Sequence, residues 1–121
     1  MAELRVSLWA GRNFEARRIR FRRRGVAVRQ CQALEFNDVL SSFRLRAGNN
    51  GRVTLVLFSG TAYRGDFLVF RGNRDIANLG NFNFNNRTSS FIFVGRNLTT
   101  SQIREIQRTR SAPRNVVEIR T

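Results

Sequence analysis

The sequence predicts an all-β sandwich made of two similar halves, and three observations predict it. The chain of 121 residues is 41% hydrophobic with 11 phenylalanines, enough for one compact domain with a modest core and too apolar for a disordered basic tail. Two stretches, EFNDVLSSFRL and NFNNRTSSFIF, share an Asn-x-x-x-Ser-Ser core between phenylalanines, with Asn37 and Asn85 48 residues apart. In both halves apolar residues recur at every second position, the period of a strand with one buried face.

The elements align in order. LRVSLWAGRNFEA lies over VTLVLFSGTAYRG at an offset of 49, setting Trp9 over Phe58, Phe14 over Tyr63 and Ala16 over Gly65. Leu4, Val6 and Leu8 form the inward face of a first strand, as Val53, Leu55 and Leu57 do in the second half. After a hairpin, Ile19 and Phe21 match Leu68 and Phe70 in a second strand. A third, weakly marked strand is expected near Ala33–Phe36 and again near Leu79–Phe84. Phe43 and Leu45, matched by Phe91 and Phe93, make the last strand of each half. The repeats cover residues 3–46 and 52–94, joined by the Gly- and Asn-containing turn at 47–51. Neither half can bury its apolar face alone, so the two must pack on each other as antiparallel sheets.

Beyond Gly95 the period changes. Thr99 followed by Gln102 has the form of a capping box, and Ile103 and Ile106 share a helical face. The expectation is a helix near 100–109, stopped before Pro113, and a closing strand at 115–120. This divides the chain into a domain at 1–95 and a C-terminal extension at 96–121. The apolar residues of the extension need a docking place, and the second half offers one. Where the first half has Arg18, Arg20, Arg44 and Arg46, the second has Phe67, Val69, Ile92 and Val94. The extension is therefore expected to cover that outer face.

Composition excludes several chemistries. With no histidine and one cysteine there is no Ser-His-Asp relay, no histidine-bound zinc and no disulfide within the chain. The carboxylates are scattered and no phosphate-cradling glycine loop precedes a helix, so an enzyme is not expected. The start, MAELRVSL, lacks a signal-peptide pattern and no apolar run reaches a membrane span, which makes a cytoplasmic location the expectation.

All 22 basic residues are arginine, and the formal net charge is +14. Residues 1–50 hold 11 of these arginines against 4 acids. In the dense run Arg17–Arg24, alternation puts Ile19 and Phe21 on one face and Arg18, Arg20, Arg22 and Arg24 on the other. With Arg5, Arg44 and Arg46 they form a candidate anion-binding face suited to nucleic acid or an acidic polysaccharide. The competing reading is a solvated face that keeps the protein soluble. No helix-turn-helix, zinc finger or ribonucleoprotein motif is present, so sequence-specific recognition of nucleic acid is not expected.

The hairpins and the Asn/Ser loops together resemble the βγ-crystallin family. Its half-domain signature is an aromatic, four residues, a second aromatic, one residue and a glycine. It stands intact as Phe58-Ser-Gly-Thr-Ala-Tyr63-Arg-Gly65, and with alanine for glycine as Trp9-Ala-Gly-Arg-Asn-Phe14-Glu-Ala16. The calcium motif of microbial members, Asn/Asp-Asn/Asp-x-x-Ser/Thr-Ser, occurs twice, as Asn37-Asp38-Val39-Leu40-Ser41-Ser42 and Asn85-Asn86-Arg87-Thr88-Ser89-Ser90. The resemblance spans about residues 3–95. It implies two Greek-key motifs forming a βγ-crystallin-like sandwich, with the short helix and strand extension outside it.

The resemblance also implies two Ca2+ sites at one end, each shared between the halves. Carried over, the ligands are side chains of Asn37 or Asp38 and of Asn85 or Asn86, the hydroxyls of Ser41 and Ser89, and backbone carbonyls near Val39 and Arg87. Carbonyls of Ala10 and Ser59 complete the sets. Such groups are the oxygens that calcium takes, six to eight at a time. The alternative for the same residues is a pair of Asx and Ser/Thr turns. Only Asp38 among the motif residues is acidic and Arg87 lies inside the second motif, so weak sites are expected, on the order of 10–1000 μM. The expected function is a calcium-binding βγ-crystallin-type structural module stabilised by Ca2+. The alternative is an Arg-rich polyanion-binding protein on the same fold. A monomer or weak homodimer is expected.

Overall fold

Alternation in both halves resolves into two sheets whose apolar faces meet. The computed structural model of the chain describes residues 4–22, 25–34, 39–48, 51–84, 87–113 and 116–119. The first half contributes β1 (Arg5–Gly11), β2 (Glu15–Arg22), β3 (Gly25–Val28) and β4 (Ser42–Arg46). The second contributes β5 (Thr54–Phe58), β6 (Phe67–Arg71), β7 (Arg74–Ile76) and β8 (Ser90–Val94). Helix α1 (Thr100–Thr109) and strand β9 (Val117–Ile119) follow.

One sheet has the order β2-β1-β4-β7 and the other β6-β5-β8-β3-β9. The third strand of each half has thus crossed to the sheet of the other half, the exchange that makes each motif a Greek key and ties the two together. Val6, Leu8, Phe43 and Leu45 from one sheet bury fully against Leu55, Leu57, Phe91 and Phe93 from the other. Phe43 and Phe70 meet edge to face across the sandwich, ring centroids 4.9 Å apart. Ile19, Phe21 and Leu68 pack at its margin, as their alternation predicts.

The third strands are not where the sequence places them. They are β3 and β7, directly after the hairpins, whereas Cys31–Leu34 and Leu79–Phe82 form 3-10 turns; Glu35 and Phe36 lie outside the described residues. The apolar residues of the second turn follow a helical spacing rather than a strand's. Leu79 is fully buried, the Asn78 side chain accepts from Gly80 N–H at 2.8 Å, and Asn83 takes the left-handed φ of 55° that closes the turn. β3 and β7 escape notice because they are four and three residues long and lie beside charged residues. Gly25 opens β3 at φ +100°, where a Cβ would strike the Phe93 carbonyl at 2.2 Å.

The helix of the extension docks on the outer face of the second half, and its strand on β3 of the first. The capping box forms as its residues predict: Thr99 Oγ1 accepts from Gln102 N–H at 3.1 Å and Gln102 Oε1 accepts from Thr99 N–H at 2.8 Å. Ile103 and Ile106 then bury with Leu98 against Val56, Phe58, Ile92 and Val94, with Phe67 and Val69 at the edge. Thr54 Oγ1 donates to Arg96 O and accepts from Leu98 N–H, and the Arg71 guanidinium donates to Leu98 O at 2.6 Å. β9 adds in parallel to β3, and Tyr63 Oη donates to Glu118 Oε2 at 2.6 Å. The outer faces of the two sheets have diverged accordingly: one is apolar and covered, the other arginine-rich and open.

Candidate functional site

Each Asn/Ser loop ends in two serines, and the structure gives them separate tasks. The second serine locks the hairpin of its own half. Ser42 Oγ donates to Gly11 O at 2.6 Å and accepts from Phe14 N–H at 3.1 Å; Ser90 Oγ donates to Gly60 O at 2.6 Å and accepts from Tyr63 N–H at 3.1 Å. These bonds hold residues whose own backbone is strained. Asn13, Phe14 and Ala16 have φ of 58°, 59° and 69°, and Ala62, Tyr63 and Gly65 have φ of 53°, 62° and 83°. Alanine at 16 therefore keeps the corner that glycine makes at 65.

The first serine joins the halves. Ser41 N–H donates to Trp9 O and Ser41 O accepts from Leu79 N–H, both at 2.9 Å; Ser89 N–H donates to Phe58 O at 2.9 Å and Ser89 O accepts from Cys31 N–H at 2.7 Å. A second matched pair, Asn13 N–H to Ala77 O and Ala62 N–H to Arg29 O, both 2.8 Å, binds each hairpin to the opposite half. The serine end of each loop is thus bonded to the hairpin of its own half and to the turn of the opposite half.

Of the candidate ligands, Asn37, Asp38, Asn85 and Asn86 lie outside the described residues. Ser41 is buried, and its hydroxyl donates to the Val39 carbonyl at 3.1 Å. Ala10 and Ser59 each follow the aromatic residue whose carbonyl the loop serine binds. Ser59 accepts from Asp66 N–H through its hydroxyl at 2.9 Å, and its own N–H donates to Asp66 O at 2.9 Å. Ser89 is buried, as is the adjacent Ser90.

The second loop carries a cation that the first lacks. The Arg87 guanidinium donates to Asp66 Oδ2 at 3.1 Å and Asn83 O at 2.7 Å, and stands 4.9 Å from the Phe84 ring centroid. Asp66 was not singled out by the sequence: its nearness to Ser59 and Arg87 arises from the hairpin folding toward the loop. Among the described residues no three of the Asp, Glu and Cys side chains cluster. The oxygens on view are hydroxyls and carbonyls, with the Asp66 carboxylate held by Arg87.

The arginines named from alternation do share one face. Register sets Arg5 between Arg22 and Arg46, Ser7 between Arg20 and Arg44, and Trp9 between Arg18 and Ser42. Arg18, Arg20, Arg22 and Arg44 are exposed, and Arg5 and Arg46 half-buried. Asp75, opposite Arg44 in register, places a carboxylate beside them. Arg46 binds it at 2.7 and 3.0 Å, and that hydrogen bond holds the Asp75 carboxyl below the usual carboxylate range while raising Arg46. Arg20 Nε donates to Ser7 Oγ at 3.3 Å, and the Arg44 guanidinium lies 4.3 Å from the centroid of Phe14 and 5.9 Å from that of Trp9. No helix among the described residues is long and apolar enough to cross a membrane.

No protein-family model matches the sequence, and no curated protein is similar to it. Solved structures are similar in fold. A βγ-crystallin domain from work on the evolution of the eye-lens fold is 21% identical, covering 78% of this chain and 88% of its own, with a TM-score of 0.67. A βγ-crystallin from Ciona intestinalis is 18% identical over 72% of this chain and 95% of its own, TM-score 0.60. A βγ-crystallin domain from Clostridium beijerinckii is 15% identical over 74% and 97%, TM-score 0.60. The exchanged third strands, the paired hairpin corners and these likenesses together give the chain the βγ-crystallin fold.

Proposed function

We propose that the protein is a calcium-binding structural module of the βγ-crystallin type, stabilised by Ca2+ at the two Asn/Asp-Asn/Asp-x-x-Ser/Thr-Ser loops. The observation that carries this reading is the duplication of the serine bonding. Both loops are fixed by equivalent bonds to their own hairpin and to the opposite half, although the outer faces of the two halves have diverged. Serine-end geometry kept twice is what two like sites need.

A bound ion supplies charge that cross-links loops from both halves, and binding to the folded state alone stabilises it by linkage. The protein residues contribute hydroxyl, amide, carboxylate and carbonyl oxygens, with Asp38 the one negative charge in the motifs. The two sites are unequal. Arg87 adds a positive charge to the second loop and occupies Asp66, so the second site binds more weakly.

Calorimetric titration of the full chain with Ca2+ tests the reading. The expected result is two weak binding events, with Ser41→Ala removing one, Ser89→Ala the other, and Arg87→Gln strengthening the weaker. No heat at millimolar calcium in the parent protein contradicts it.

A further inference from the structure

We propose that the open arginine face of the β2-β1-β4 sheet binds single-stranded nucleic acid, with guanidinium groups on phosphates and Trp9 against a base. The Trp9 end of this surface adjoins the first calcium-motif loop, since Trp9 O accepts from Ser41 N–H, so its binding is tested without calcium. Strands about 4.8 Å apart, with same-face residues about 6.7 Å apart along each strand, give a grid roughly 10 Å by 13 Å. Its long rows are the Arg18, Arg20 and Arg22 column on β2 and the Arg44 and Arg46 column on β4, with Arg5 between them.

A merely solvated face does not account for this arrangement. Arg5 faces arginine on both sides, and like charges directly opposite each other destabilise a sheet. Protection of an edge strand explains arginine on β2, which is an edge, but not on β1 and β4, which are interior strands. Solubility needs charge, not arginine at six positions of one three-stranded face. Such a grid attracts a polyanion, and each planar fork matches a phosphate through two hydrogen bonds.

The aromatic residues select among polyanions. Trp9 lies in the same face, in register with Arg18, and is only half-buried. It packs edge to face on Phe14 at 5.3 Å, and Arg44 reaches over both rings. A basic platform with an aromatic at its end holds single strands, because every unpaired base has a face to stack. An acidic polysaccharide has no such face, and a duplex keeps its bases stacked away from a broad sheet. Binding by stacking and phosphate contact carries no sequence preference.

Trp9 is the sole tryptophan, so the protein contains its own reporter. The test is titration of the full chain in EDTA with a labelled thymidine 12-mer, reading anisotropy and tryptophan fluorescence. The expected result is binding that quenches Trp9 and weakens about 100-fold between 50 and 200 mM salt, the slope for about five neutralised phosphates. Arg20→Gln/Arg44→Gln should weaken binding at least tenfold more than Arg104→Gln/Arg108→Gln, which removes the same charge from α1. Arg5→Gln, on a third strand, should weaken it about threefold. Arg5→Gln should melt no lower than the parent, since it relieves like-charge contacts, and Arg20→Gln/Arg44→Gln should stay folded with at most a small loss from the Arg20–Ser7 and Arg44–Phe14 contacts. Equal losses in the two double variants, or no binding at 50 mM salt, overturn the proposal. So does heparin or a duplex of equal charge binding as tightly as the single strand with Trp9 fluorescence unchanged.

Discussion

Replacing Gly65 by alanine probes how one corner accepts two different fillings. Gly65 has φ +83°, and a Cβ there would meet Ser59 Oγ at 2.4 Å. In the first half Ala16 holds φ 69°, and the residue aligned with Ser59 is Ala10, whose methyl carries no oxygen. Left-handed alanine costs about 1–2 kcal/mol. Displacing Ser59 Oγ also forfeits the hydrogen bond from Asp66 N–H, worth about 0.5–1.5 kcal/mol. Reduced freedom of the unfolded chain returns about 0.4–1 kcal/mol. Gly65→Ala should therefore cost about 1–2.5 kcal/mol, and Ser59→Ala about 1 kcal/mol. The double variant recreates the Ala10 and Ala16 pair and loses the hydrogen bond only once. It should be about 1 kcal/mol more stable than additivity allows. Urea unfolding in EDTA, followed by Trp9 fluorescence, measures all three. A neutral Gly65→Ala, or additivity within about 0.3 kcal/mol, refutes the reasoning.

Three further outcomes follow from the same structure. Thr88 Oγ1 is buried without a hydrogen-bond partner among the described residues, where the first half has buried Leu40, so Thr88→Val should gain about 1 kcal/mol in urea unfolding while leaving the calcium response intact. Ile103 is fully buried under the apolar sheet, and Ile103→Ala should cost about 3 kcal/mol by the same measurement. Because Arg46 lowers the Asp75 pKa, the pair stabilises above the ordinary aspartate value of about 3.9, and that contribution is lost as pH falls through the lowered value. The pair is well exposed and worth under about 1 kcal/mol. Asp75→Asn should thus lower stability slightly at pH 7, and the difference from the parent should vanish in acid melts.

Strong, repeated signals were readable from the amino acids. The inward alternation of β1, β4, β5 and β8 appears twice in the chain, so each half confirms the other's assignment. The helix at Thr100–Thr109 carries both a cap and a stripe, and Ile103 and Ile106 dock where the second half replaces arginine by Phe67, Val69, Ile92 and Val94. The third strands were not legible, because three or four residues such as Arg74-Asp75-Ile76 have no measurable period, and their pairing is fixed by the opposite half. The same limit hid Asp66. Its place between Ser59 and Arg87 comes from a hairpin and a loop 21 residues apart, and a spacing of that kind has no local signature. The arginine face was legible because alternation along each strand fixes its side, but its order across strands came only with the register.

The central claim is that calcium holds the paired loops together, and a thermal melt of the full chain in EDTA and in excess Ca2+ tests it most directly. At tenfold over the dissociation constant each site adds about 1.4 kcal/mol. For a chain of 121 residues that raises the melting temperature by about 5 °C for one site and about 10 °C for both. The account predicts a rise of this size in Ca2+, reduced by Ser41→Ala and again by adding Ser89→Ala. An unchanged melting temperature at millimolar Ca2+, or a rise that both serine substitutions leave intact, would contradict it.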